Sequence, residues 1–98
     1  MIIQSYRVHV GERTREEIII SMPQGAEVLY VHHYGMPHGY VEVVAMHPDD
    51  HAGTAEDRRF IVIDSYCSHH VTVPQKNLRF IGAIPFDNHV WGFFEVAD

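Results

Sequence analysis

The segment Glu27-Val-Leu-Tyr-Val-His-His-Tyr34, the linker Gly35-Met-Pro-His-Gly39 and the segment Tyr40-Val-Glu-Val-Val-Ala-Met-His47 decide the fold. Valine and tyrosine dominate both flanking segments, and such side chains pack well on a pleated surface. Runs this short and this rich in β-branched residues read as strands rather than helices. Pro37 between two glycines punctuates the linker. The unit predicts a β-hairpin.

The same reading extends outward in both directions. Residues 2–10 alternate around Tyr6, Val8 and Val10, and residues 17–22 repeat the composition after a charged turn at 11–15, which predicts a hairpin of these two strands. Pro23-Gln-Gly25 is the next break, with Gly25 supplying a positive φ. Residues 47–57 carry Pro48 and Gly53 without apolar periodicity and read as a loop. Residues 58–64 form a strand, Phe60 and Val62 facing one way and Arg59, Ile61 and Ile63 the other. After a loop at 65–73, Pro74-Gln-Lys-Asn77 suits one helical turn with Pro at its start. Leu78–Phe86 and His89–Val96 close a final hairpin around Asp87-Asn88.

The expectation is an all-β single domain spanning residues 1–98. Its form is an antiparallel sandwich or strongly curved sheet of about seven short strands, with at most one helical turn. Val28, Val31, Val41, Val43, Phe60, Val62, Leu78, Ile81, Trp91 and Phe93 are the expected core. An open sheet leaves edges, and the chain ends in an apolar strand with only Glu95 to discourage pairing, so a homodimer or higher homo-oligomer paired through one edge strand is expected.

Composition narrows the function. The chain has 98 residues, seven basic and thirteen acidic, for a formal charge of -6. The basic residues are scattered, which argues against broad nucleic-acid binding, since that needs a cationic stripe to displace counterions. Cys67 is the one cysteine, so neither an internal disulfide nor a cysteine zinc site can form, and a reducing cytoplasm is expected. No apolar run approaches the ~20 residues that span a bilayer, and no leader is evident, so no membrane association is expected.

Nine histidines invite a metal reading. His47, Asp49 and His51 gather donors in one loop, and His69-His70 with Asp64 form a second group. Neither has the spacing of a standard ligand set, and adjacent strand histidines such as His32 and His33 face opposite ways. No metal and no cofactor are therefore expected. Cys67 or a neighbouring serine with His69, His70 and Asp64 resembles a nucleophile and base only on paper, because such groups are defined by geometry. No catalytic residue is assigned. The linker at 35–39 lacks the Lys and Ser/Thr of a phosphate loop. The remaining polar set is Arg58, Arg59, Tyr66, His69, His70 and Arg79, in which guanidinium forks suit phosphates and rings suit bases. The competing use of Arg58 and Arg59 is pairing with Glu56 or Asp57.

The landmarks Met22-Pro-Gln-Gly-Ala-Glu27-Val-Leu, Arg58-Arg-Phe-Ile-Val-Ile63, Arg79-Phe-Ile-Gly82 and Val90-Trp-Gly-Phe-Phe-Glu95 resemble a family of small phage-encoded β-rich proteins. Where that family has a Thr-Gly turn after its R-x-F strand, this chain has Asp64-Ser-Tyr-Cys67. The resemblance implies a non-catalytic phage accessory protein of the host cytoplasm. By analogy with phage anti-defence nucleotide sponges, it would counter a bacterial defence by sequestering a small anionic nucleotide or blocking a host defence protein. The alternatives are a metal-dependent hydrolase using the histidine-rich loops, and an interaction module of the virion or a replication complex that pairs through its final strand.

Overall fold

Apolar and polar positions alternate through most of the chain, and in the computed structural model the apolar sets face inward from two sheets. The structure describes residues 1–10, 17–33, 40–48, 53–64, 73–86 and 89–97. The described residues form seven strands: β1 (Ile2–His9), β2 (Ile18–Pro23), β3 (Glu27–His33), β4 (Tyr40–His47), β5 (Ala55–Asp64), β6 (Leu78–Phe86) and β7 (His89–Val96). A single 3-10 turn at Gln75–Asn77 follows Pro74, the one helical element among the described residues. Sheet A has the order β1-β4-β3 and sheet B the order β2-β5-β7-β6, with every pairing antiparallel. The fold is an all-β sandwich.

The β3–β4 and β6–β7 hairpins form as the sequence predicts. The predicted β1–β2 hairpin does not. β1 pairs with β4, Val8 opposite Val41, while β2 pairs with β5, Ile18 opposite Phe60. Splitting the two strands between sheets lets Val8 and Val10 on one side and Ile18, Ile20 and Met22 on the other enter one shared core. The expected edge position of the last strand is also overturned, since β7 lies between β5 and β6. Both edges of β7 are therefore already paired within the sheet.

Of the expected core, Val28, Val41, Val43, Phe60, Val62 and Phe93 are buried, and Val31, Ile81 and Trp91 pack partly buried against them. Leu78 is only half-buried. Phe60 and Phe93 stack across the β5–β7 pair with centroids 5.5 Å apart.

The chain passes from sheet B to sheet A through the β2–β3 corner. Gly25 takes φ 80°, a left-handed value that favours glycine. Ala26 N–H donates to the Pro23 carbonyl (3.0 Å) and Gln24 N–H to the Thr54 carbonyl (3.0 Å). Beyond the corner, β3 runs beside β6. Both strands carry a register shift, between Val28 and Tyr30 and between Phe80 and Gly82. Such bulges bend a strand and increase its twist, here on the two strands that must meet.

Their approach is close enough to require glycine. A Cβ on Gly82 would lie 2.9 Å from Cγ1 of Val31. Gly82→Val is therefore expected to destabilise the fold by ~1–3 kcal/mol through overpacking. Val31→Ala in the same chain should recover part of that loss. Urea unfolding of the two variants checks this, and wild-type stability in Gly82→Val would mean that the two strands do not pack so closely.

Candidate functional site

The three arginines of the expected cationic site do not converge on open solvent. Arg58 shares the inward face of β5 with Phe60 and reaches Glu95 of β7. Its Nε donates to Oε2, and its Nη2 donates to Oε1 at 3.1 Å. Nη1 donates to the Ala26 carbonyl at 2.7 Å and lies 3.5 Å from Glu56 Oε1. The hydrogen bonds that Arg58 donates to Glu95 hold its guanidinium above its ordinary pKa, outweighing the opposing effect of burial. Arg79, opposite Glu95 in the β6–β7 register, places Nη1 3.8 Å from Oε1 and donates from Nη2 to the Val28 carbonyl at 2.9 Å.

Glu95 is thus the centre of a clamp. It is only 8% exposed, and the two arginines gathered on it grip the Ala26 carbonyl in the β2–β3 corner and the Val28 carbonyl in β3. Sheet B holds sheet A by these contacts. The sequence reading anticipated Glu56 as a partner of Arg58, but the shorter, two-pronged pair is with Glu95, 37 residues away. Arg59 sits on the opposite face of β5, where Nη1 donates to Glu17 Oε1 at 2.9 Å. β7 separates β5 from β6, so Arg59 and Arg79 are not on adjacent strands. Tyr66, His69 and His70 lie outside the described residues.

Histidine placement follows the strand period. His32 lies opposite Glu42 and His33 opposite Val41, on opposite faces of sheet A. His47 is 3% exposed. Its Nδ1 is 2.9 Å from the Pro48 carbonyl and its Nε2 3.3 Å from Gln4 Oε1. A ring so engaged inside the protein is not the outward ligand that a loop metal site would use. Asp49 and His51 lie outside the described residues. No group of three His, Cys, Asp or Glu among the described residues could hold a metal ion.

What the fold does bring together is a set of rings and charges on the outer face of sheet A. Inward positions of β4 are Val41, Val43, Ala45 and His47, so Tyr40, Glu42, Val44 and Met46 take the outer face. Register then places His9 opposite Tyr40, and Arg7 and His32 on either side of Glu42. His9 meets Tyr40 edge-on with centroids 4.8 Å apart, and the Arg7 guanidinium carbon lies 5.9 Å from the Tyr40 centroid. Tyr40 is 40% exposed, and Tyr30 shares its face further along β3. The alternation of Tyr40 and Glu42 with valines was visible in sequence. The presence of Arg7 and His9 beside them was not, because it depends on the β1–β4 pairing.

The outer face of sheet B has a different character. Phe80 is 59% exposed and meets Phe94 edge-on at 5.4 Å. Phe80 and Phe94 line a shallow hollow of about 270 Å³ with Ile63, Ala83 and Val90. Among the described residues no helix is long and apolar enough to cross a membrane. No family model, no curated protein and no solved structure matches the chain.

Proposed function

We propose that the protein acts by binding, without chemistry, and that its ligand is a small anionic nucleotide held on the outer face of sheet A. The observation that carries this is the Arg7–Tyr40–His9 group. An exposed ring stacks a base irrespective of its identity, and a guanidinium beside it supplies charge-assisted hydrogen bonds to phosphate. Glu42, one row along the face, is placed to accept from a ribose hydroxyl or a base amino group. Arg58, Arg59 and Arg79 each lie beside a carboxylate and do not gather on one surface with Tyr40, so this reading does not use them.

The resemblance to small phage proteins supports a role in the host cytoplasm against a bacterial defence, by withholding a nucleotide signal. The exposed apolar face of sheet B supports self-association, since patches of this kind mark interfaces. Light scattering at high micromolar concentration should report a dimer that Phe80→Glu converts to a monomer. A monomeric wild type would end that part of the proposal. For the ligand, calorimetric titration with adenosine and guanosine monophosphates and their cyclic forms is the test. Saturable heat that Tyr40→Ala shifts to at least tenfold weaker affinity is expected, whereas no heat from any of them would exclude the reading.

A further inference from the structure

The two sheets meet along β3 and β6, but not along their other edges. β1 has β4 as its one strand partner and β2 has β5, and among the described residues no ladder joins β1 to β2. Between them runs a groove of about 570 Å³. Its walls are Ser5, Tyr6, Arg7, Val8 and His9 from β1, and Ile18, Ile19, Ile20 and Ser21 from β2.

The lining residues are consecutive, and that identifies the walls. A groove over the face of a strand touches every second residue, because side chains alternate. A groove that touches every residue of two strands runs along their edges, where main-chain N–H and C=O groups are presented. The floor is apolar, since Val8, Ile18 and Ile20 belong to the buried core.

These features select the occupant. Two facing edges are bridged by one extended chain, with strand spacings of ~4.8 Å on either side. The edge strand of a second folded copy already has a neighbour, which would collide with one of the walls. Five lining residues on β1 correspond to ~17 Å of extended peptide. Charge narrows the choice further. Among the described residues the walls hold Arg7 and His9 and no carboxylate, in a chain whose formal charge is -6.

The geometry points to a receptor for an extended, neutral or acidic peptide segment of about five residues from a partner protein, which adds as a strand between β1 and β2 and joins the two sheets. Main-chain bonding to both walls supplies the affinity, and the apolar floor takes alternate side chains. This groove shares Arg7 and His9 with the nucleotide face but takes a different class of ligand, through the main-chain edges of β1 and β2 rather than the Tyr40 ring.

The test is hydrogen exchange on the intact protein, alone and with a pooled library of heptapeptides that alternate β-branched residues with threonine or glutamate. A bound member should slow amide exchange in both Ser5–His9 and Ile18–Ser21 by at least tenfold. Methylating alternate amides of the selected peptide should cost tenfold or more in affinity, and replacing its glutamates with lysine should also weaken binding. Protection of only one wall, protection at β3 or β6 instead, or no protection with any member would overturn the inference. So would equal protection of both walls without peptide in a dimeric sample, since the groove would then be filled by a second copy.

Discussion

Replacing Glu95 with glutamine should cost the fold ~2–4 kcal/mol, somewhat below the ~3–5 typical of breaking a fully buried ion pair. The carboxylate is 10% exposed and the Arg58 side chain 15%, so little water is at hand to take over the interaction. Glutamine keeps one acceptor and loses the charge. The Arg58 guanidinium is then left in a desolvated position with Glu56 as its remaining carboxylate, 3.5 Å away and 41% exposed. Arg79 loses the same partner, and the grip of both arginines on the Ala26 and Val28 carbonyls slackens. Glu56→Gln is the control. It removes the longer and more exposed pair and should cost no more than ~1 kcal/mol. Urea unfolding checks both variants, and near-equal losses would mean that Glu95 is not the centre of the clamp.

Tyr40→Ala should weaken nucleotide binding by ten- to a hundredfold while leaving the fold intact. Stacking of a base on an aromatic ring is worth ~1–3 kcal/mol, and the substitution also removes the surface that aligns Arg7 and His9. Tyr40→Phe retains the ring and should bind within a few-fold of wild type. The pair of variants separates stacking from hydroxyl contacts. Equal affinities for wild type and Tyr40→Ala would move the site off this face.

The strands were legible because their period of two survives in single segments. Phe60 and Val62 alternate with Arg59, Ile61 and Ile63, and the structure keeps that division. Local hairpins were legible for the same reason, as at Asp87-Asn88, where turn residues separate two β-rich runs. Which strands share a sheet was not. Alternation shows that Val8 and Ile18 each need a covering partner, and cannot say that the cover is each other's sheet. The site suffered from the same limit. Arg58 read as a partner of the nearby Glu56 or Asp57 or as part of a cationic set with Arg79, whereas Glu95, itself read as a guard on an edge strand, lies between the two from the centre of sheet B. Tyr40 read as the start of a strand, and only the nonlocal pairing with β1 set a guanidinium and an imidazole beside it.

If the protein holds an intact nucleotide on the outer face of sheet A, that nucleotide can be recovered from it. The most direct measurement is to incubate wild type and Tyr40→Ala with a host nucleotide extract, wash and denature both, and identify the released small molecules by mass spectrometry. A nucleotide released unchanged from wild type and absent from the variant is the expected result. No nucleotide from wild type, the same yield from both proteins, or a hydrolysed product would contradict it.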